Sequence, residues 1–271
     1  MRKLGYALLA TLLLATSTTV LAQQEIGARA TPLQPARRSP RIYVGPVAGY
    51  NRSLHSSSFQ SVAGDVLCPT FTSGTENGYY VGMSFEYLLG KPRESKSSII
   101  ARAVYNTFPA NFSQGGDTLP SLDPNTGEKY LSAIEHTAAI QYSTFDIELI
   151  YKLNLFNSSF GVVVGPTAGF VVGSDRVQRM SIIDPDNATF EVVPGVEYEN
   201  FNRTQITARD QIEGRAGMRL AIKAGVQYEI AVGRILVVPC AYYNFGITKL
   251  SDADNIRVNA LQVGVDIRFA L

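Results

Sequence analysis

Hydrophobic and polar residues alternate along most of the chain after residue 40, and a period of two is typical of β-strands with two different faces. Eight segments carry this pattern and are predicted as strands: 42–51, 78–89, 98–107, 142–153, 160–172, 216–230, 235–247 and 257–271. The last segment is the clearest, because apolar residues hold every odd-numbered position from Leu261 to Leu271. The pattern predicts an all-β protein.

Charged residues in these segments fall on the less apolar face, apart from Arg257 at a segment end. They are five acids and five bases: Glu86, Arg102, Asp146, Glu148, Lys152, Arg219, Lys223, Glu229, Asp266 and Arg268. An antiparallel β-sandwich, in which one face of each sheet is buried and the other is exposed to water, would give the same alternation of apolar and polar residues. It would not explain why the polar face is small, rich in glycine and balanced in charge, or why tyrosine and phenylalanine crowd the strand ends. A closed barrel in lipid explains both observations. The apolar face contacts lipid, and the charged residues form ion pairs among small residues in a narrow interior.

We therefore predict an eight-stranded antiparallel up-and-down transmembrane β-barrel, with the ten charges forming a neutral network that plugs the lumen. The gaps between the strands alternate in length, at 26, 8, 34, 6, 43, 4 and 9 residues. Outer-membrane barrels alternate extended outside loops with tight periplasmic turns in the same way. The long gaps 52–77, 108–141 and 173–215 are accordingly predicted as extracellular loops that form a contact surface, with both termini in the periplasm.

The first 22 residues are typical of a secretory signal peptide. Met1-Arg2-Lys3 supplies the positive start, an apolar run follows, and Val20-Leu21-Ala22 fits the cleavage site. Residues 23–40 carry proline and arginine without periodicity, which predicts a flexible periplasmic leader before a barrel over 41–271.

Charge balance, cysteine count and the absence of nucleotide-binding motifs limit the partners and cofactors that the chain can be expected to bind. After the signal, 22 basic residues face 23 acidic ones, and a balance this even argues against nucleic acid as a partner. Two cysteines in 271 residues exclude a disulfide scaffold and any multi-cysteine zinc site. No phosphate-binding loop or dinucleotide-binding fingerprint occurs, so no cofactor is expected.

The signal, leader and amphipathic strands together resemble the outer-membrane β-barrel families of Gram-negative bacteria, in particular small barrels similar to the OmpA transmembrane domain, here without a peptidoglycan-binding domain. The final strand resembles the C-terminal signal of such barrels through Gln262, Gly264, Ile267 and Phe269, although Ala270-Leu271 follows the aromatic residue. The resemblance implies insertion from the periplasm by the barrel-assembly machinery into outer-membrane lipid. It also implies a role in envelope integrity, adhesion or narrow conduction.

Candidate catalytic residues are few. His55 with Ser57 resembles a pairing found in barrel lipases, but the surrounding serine-rich loop favours solvated residues. His136, after Glu135, could join an aspartate–histidine protease site at a barrel rim. Calcium-compatible oxygens occur in Asp184-Pro185-Asp186-Asn187 and Asp123-Pro124-Asn125-Thr126-Gly127, where turn formation is the favoured interpretation.

The cysteines could form a disulfide, since the cell envelope permits one. Cys68 falls in the first long gap, whereas Cys240 falls on the interior face of the seventh strand near mid-membrane. A bond would require the loop to enter a lumen that eight strands leave nearly full, so two unpaired thiols are favoured.

Three classes of function follow from these patterns. The favoured one is a structural and surface-interaction barrel that is not an enzyme and that contacts an extracellular partner through its long loops. A small diffusion porin is the second, although ten interior charges would obstruct a lumen this narrow. An outer-membrane lipid-modifying enzyme or protease is the third.

Overall fold

The computed structural model describes residues 40–60, 69–90, 95–123, 126–155 and 158–271. The predicted signal peptide, and the predicted leader except for Pro40, lie outside the described residues. Twelve strands are present in this part of the chain: β1 (Ile42–Gln60), β2 (Thr70–Leu88), β3 (Ser97–Thr107), β4 (Ala110–Leu122), β5 (Lys129–Asn154), β6 (Phe160–Asp184), β7 (Tyr198–Glu199), β8 (Thr204–Gln211), β9 (Met218–Tyr228), β10 (Ile230–Val232), β11 (Ile235–Gly246) and β12 (Arg257–Ala270). No described helix is long and apolar enough to cross a membrane.

Eight of these strands pair with one another in a closed ring. Every pairing is antiparallel, and the order around the ring is β1, β2, β3, β5, β6, β9, β11, β12 and back to β1. Because the ring is closed, none of these eight strands has an unpaired edge within the ring. The predicted eight-stranded antiparallel barrel is confirmed.

The barrel wall carries an apolar band on its outside and polar residues on its inside. On β5, Ile147 and Leu149 face outward with 46% and 55% of their surface exposed, whereas Asp146 and Glu148 face inward and are fully buried. Aromatic residues mark both borders of the band, with Tyr50 and Phe145 on one side and Tyr151 on the other. This arrangement is that of a transmembrane barrel, in which lipid covers the apolar wall.

The two ends of the barrel differ. At one end, here the terminal end, β1 begins, β12 finishes and the connections between strands are short. At the opposite end, four barrel strands run well past the apolar band and are joined by β4, β7 and β8. We call this added part the extension.

The extension corrects one prediction from the sequence. The segments 52–77, 108–141 and 173–215 are not mainly irregular loops, because most of their described residues continue or add to barrel strands. Two added strands prolong the wall: β4 follows β3 along β5, and β8 precedes β9 along β6. Pairing of these backbones with each other removes the need for long unpaired loops.

Polarity reverses where the barrel passes into the extension. Inward-facing residues of β5 are charged within the band, but farther along the same strand Ile134 and Ile140 face inward and are buried, while Glu135 and Gln141 face outward. The reversal follows the solvent, because lipid surrounds the band and water surrounds the extension.

Candidate functional site: the barrel interior

The interior of the terminal half is filled by a continuous series of ion pairs. Eight of the ten charges predicted for the lumen take part, in the order Lys223, Glu148, Arg102, Asp266, Arg268, Glu86, Lys152 and Glu229. We call this series the charge chain. It holds four acids and four bases and is therefore neutral as a unit.

Arg268 is the centre of the charge chain. Its Nη1 donates to Glu86 Oε2 at 2.5 Å, and its Nε and Nη2 donate to Asp266 Oδ2 at 2.9 and 2.6 Å. Arg102 donates to the same Asp266 oxygen at 3.0 Å, so one carboxylate joins two guanidinium groups. All four side chains are almost completely buried, with the shared hydrogen bonds that a buried charge requires.

Arg219 and Asp146 lie inside the barrel but outside the charge chain. Arg219 Nη2 donates to Asn244 Oδ1 at 2.8 Å and to the carbonyl of Val258 at 2.9 Å, and its guanidinium lies 4.8 Å from the Phe108 ring centroid. Asp146 accepts a hydrogen bond from Asn106 at 2.6 Å. The sequence predicts that bases on the sixth predicted strand reach Asp146 and Glu148; in the structure Lys223 reaches Glu148, Arg219 is held by other groups, and Glu229 pairs with Lys152.

Two buried tyrosines fill the middle of the lumen. The Arg102 guanidinium lies 5.1 Å from the Tyr242 ring centroid, and Lys223 Nζ lies 5.9 and 5.6 Å from the Tyr80 and Tyr242 rings. A Cβ added to Gly264 would overlap the Tyr80 hydroxyl, so the absent side chain makes room for the ring against the wall. Sequence reasoning missed both tyrosines, which stand at polar-face positions of their strands.

An apolar cluster occupies the interior at the extended end. It contains Phe59, Phe71, Phe108, Ala110, Phe112, Ala138, Ile140, Tyr142, Ile212, Leu250, Ile256, Val258 and Ala260. Three of its rings, Phe59, Phe71 and Phe112, pack against one another in tilted and edge-to-face arrangements, with centroids 5.1 to 5.9 Å apart. We call this cluster the apolar plug. The sequence signal for it is the presence of Phe59, Phe71, Phe108 and Phe112 inside segments that were predicted as loops.

Arg176 fastens the extension beside the apolar plug. Its Nε and Nη2 donate to the two carboxylate oxygens of Asp210 at 3.0 and 2.9 Å, and its Nη1 donates to Asp254 Oδ2 at 2.8 Å. The guanidinium also lies 5.6 Å from the Phe59 ring centroid. One side chain thus links β6, β8 and the turn before β12, across the side of the extension where no strand pair closes the wall among the described residues.

The candidate lipase pair is not assembled. His55 Nε2 donates to the carbonyl of Phe108 at 3.1 Å, and Ser57 Oγ donates to the carbonyl of Phe71 at 2.9 Å. Both side chains are buried. They satisfy backbone oxygens at places where the wall is irregular, so the interpretation of His55 and Ser57 as solvated loop residues was wrong.

The second histidine candidate does have an acidic partner. His136 is buried, and its Nε2 lies 3.3 Å from Asp117 Oδ2 on the neighbouring strand β4. A bulge between Gly115 and Asp117 turns that carboxylate toward the histidine. A histidine held by a carboxylate is able to accept a proton, which keeps this pair as a chemical candidate.

The two calcium-compatible segments meet in the structure. Asn187 Nδ2 donates to Asp123 Oδ2 at 2.9 Å, and the amide of Thr126 donates to Asp123 Oδ1 at 3.4 Å. The second of these is the contact of a turn, and the first joins the two segments to each other. Among the described residues there is no group of three or more histidine, cysteine or acidic side chains placed to hold a metal ion.

Cys240 carries a free, buried thiol that donates to the carbonyl of Gly264 at 3.3 Å. Cys68 lies outside the described residues. The four residues of the predicted assembly signal share β12, where Gln262 and Gly264 face the lumen while Ile267 and Phe269 face outward with 37% and 45% exposure. Recognition by an assembly machinery stays a prediction.

Comparisons with known proteins do not place the chain in a family. No protein-family model and no curated protein matches it. Similar solved structures include Neisserial surface protein A, with 13% identity and a TM-score of 0.33 over 85% of this chain and 97% of that one. Ail, the attachment invasion locus protein of Yersinia pestis, has 13% identity and a TM-score of 0.35 over 84% of this chain and 99% of that one. The outer membrane protease OmpT from Escherichia coli has 9% identity and a TM-score of 0.36 over 85% of this chain and 96% of that one. Values this low assign neither family nor function, and the fold rests on the strand pairings above.

Proposed function

We propose that the chain is an outer-membrane β-barrel of the small OmpA-like kind with a sealed lumen, which acts through contacts of its extension outside the cell and is not an enzyme. The observation that carries the proposal is the filling of the lumen at two heights, by the charge chain and by the apolar plug. Ions would have to displace both, and a buried paired charge and a close-packed aromatic cluster each resist displacement.

The difference between the two ends supports one orientation of the barrel. Short connections and both chain ends lie at the terminal end, which we place in the periplasm. The extension then projects from the cell surface, where its polar outer face and exposed tips form the surface that meets a partner. Insertion would proceed from the periplasm through the barrel-assembly machinery, with β12 as the recognised strand.

Conductance in planar lipid bilayers tests the seal. The mature protein should give no steady channel current above the lipid background. The variant Phe71→Ala, which removes one ring of the apolar plug, should also give no channel current, because the charge chain still blocks the lumen at another height. A steady current from the unmodified protein would contradict the proposal and favour the diffusion porin.

The His136–Asp117 pair supports a second candidate, a hydrolytic enzyme at the extended end. Proteolysis and lipid deacylation can be assayed with the unmodified protein beside Asp117→Asn and His136→Gln. Turnover that both variants abolish while the barrel stays folded would replace the non-enzymatic proposal. Equal background rates in all three proteins are expected.

A further inference from the structure

The barrel wall is interrupted where β3 gives way to β4. The β2–β3 ladder stops at the pair Tyr80 and Asn106, and only one pair, Thr75 with Asn111, joins β2 to β4 beyond it. Phe108, which lies between β3 and β4, and the two residues after it are all buried, although an ordinary strand would alternate. The chain therefore steps toward the lumen at this point.

Side chains from inside and outside the barrel hold the interruption together. Asn51 Nδ2 donates to the carbonyl of Thr107 at 2.9 Å, and His55 donates to the next carbonyl along the chain. On the outer side, the amide of Tyr79 donates to Thr107 Oγ1 at 2.9 Å. Backbone groups that lack a ladder partner are thus satisfied, which makes the step a built feature of the wall.

The step leaves a groove of about 510 Å³ on the outside of the wall. Thr107 and Pro109 belong to its lining, together with residues of β2, β5 and β6. It stands at the border of the apolar band, where the exposed side chain of Tyr79 lies 6.3 Å from Tyr105, measured between ring centroids. Aromatic faces at such a border attract organic cations.

Two carboxylates give this groove a negative charge. Glu76 and Asp175 both line it, and neither forms an ion pair with any residue in the described part of the chain. The Glu76 carboxylate is nevertheless held in place, because Asn111 Nδ2 and the amide of Asn77 donate to its two oxygens. A carboxylate held in place beside aromatic rings forms a site for an ammonium group.

A second depression lies on the outside of the wall farther along β3, within the apolar band. It measures about 450 Å³, and its lining includes Ala101, Ala103, Met83, Phe85 and Ile147. Ala101, Ala103, Tyr105 and Thr107 are successive outward-facing positions of β3. Small alanines between larger neighbours leave room for an alkyl chain. The six residue steps from Thr107 to Ala101 span about 20 Å, which is within the roughly 20–22 Å of one leaflet with its headgroups.

We propose that the outward face of β3 binds one molecule of a single-chain amphiphile with an ammonium headgroup, taken up from the surrounding bilayer. The ammonium group would lie at the Glu76 carboxylate against the two tyrosine rings, with Asp175 adding negative charge from the opposite side of the groove, and the alkyl chain would follow Ala103 and Ala101 toward the middle of the bilayer. Neither the sealed lumen nor the contacts of the extension require this site.

Binding can be measured on the folded mature protein in a neutral maltoside detergent. Native mass spectrometry counts bound molecules while dodecylamine is titrated, with dodecanol, dodecanoate and butylamine as comparison probes. One dodecylamine per barrel should bind at least tenfold more tightly than each of the other three. Equal affinity for dodecanol or dodecanoate would overturn the role of the carboxylates, and equal affinity for butylamine would overturn the role of the alanine track.

Variants separate the groove from general surface charge. The pair Glu76→Gln with Asp175→Asn should weaken dodecylamine binding at least tenfold, and Ala103→Phe should weaken it by filling the track. The matched control is Glu128→Gln with Glu191→Gln, which removes the same charge from exposed positions of the extension and should leave binding unchanged. An equal loss in the control would show attraction by net charge alone and would overturn the proposal. Heat-modifiable electrophoretic mobility reports that each variant is folded.

Discussion

Arg219 shows how far a single position can be understood from its residue type. Its place on the polar face of a strand predicts a buried lumen position, and the side chain is fully buried there. Its partners could not be predicted, because Asn244 and the Val258 carbonyl belong to other strands and Phe108 belongs to the interruption of the wall. The side chains that meet in a lumen depend on the register of all eight strands together.

The difference between Arg219 and Arg268 is measurable. Arg268→Ala should lower the free energy of unfolding by about 3–5 kcal/mol, because it leaves two buried carboxylates short of a cation. Arg219→Ala should cost less, about 1.5–3 kcal/mol, since it removes hydrogen bonds to neutral groups and breaks no ion pair among the described residues. Urea titration in detergent gives both values. Equal losses of unfolding free energy in the two variants would contradict the assignment of Arg268, but not Arg219, to the charge chain.

His55 should make stability depend on pH. It lies in the extension, beyond the apolar band, and burial lowers its pKa from 6.5 to about 3. Below pH 6.5 the unfolded chain therefore takes up a proton that the folded protein does not, so stability falls as the pH falls. Between pH 7.5 and pH 5 the loss from this group should be about 2 kcal/mol.

The matched variant is His55→Gln, whose amide can still donate to the Phe108 carbonyl but does not titrate. Urea midpoints measured from pH 7.5 to pH 5 should fall more steeply in the unmodified protein than in this variant. Parallel pH profiles would mean that His55 is protonated in the folded protein.

At the scale of the strand, β5 shows why the barrel was predictable and the extension was not. Over 142–153 its outward positions are strongly apolar, as lipid requires, and the sequence predicts those bounds to within a residue at the C-terminal end. Before residue 142 the strand continues, but its outward face carries Glu135, Thr137 and Gln141 with only one large apolar residue, Leu131, and its inward face mixes serine, histidine and isoleucine. The alternation persists with the opposite phase, so the continuous apolar face that predicts a membrane strand ends near residue 142.

The same reversal separates two exposed apolar positions. Val263→Arg should cost about 2–4 kcal/mol, because Val263 is 49% exposed on the lipid-facing band. Leu131→Arg, at a residue 76% exposed on the extension, should change stability by less than about 0.5 kcal/mol. Urea unfolding in lipid vesicles gives the comparison, and a large penalty at Leu131 would show that lipid reaches farther than the band.

The extension also determines where a protease can cut on intact cells. A glutamate-specific protease should cleave within 185–197, which contains Glu191 and Glu197 and carries no strand. The paired strand β5 should resist at Glu135, and the short connections at the terminal end should stay intact because the proposed orientation places them in the periplasm. Mass spectrometry of the fragments identifies the sites. Cleavage at Glu229 in intact cells would reverse the orientation.

At the scale of the whole molecule, closure of the ring creates both the lumen and its contents. Once β12 pairs with β1, residues far apart in the chain become neighbours, such as Glu86 and Arg268, or Arg176 and Asp254. The charge chain is a property of the closed barrel, since each of its members would face water in an open sheet. The apolar plug likewise needs phenylalanines from three strands to meet at one height.

The sequence by itself determined which residues face lipid, which ten charges lie inside, and that eight strands form the wall, because each of these depends on local alternation and composition. Only the tertiary structure decided which acid meets which base, that His55 and Ser57 satisfy the backbone, and that the long connections extend the barrel. Those outcomes depend on register, closure and the change from lipid to water along each strand, and these are set by contacts between residues that the sequence does not bring together.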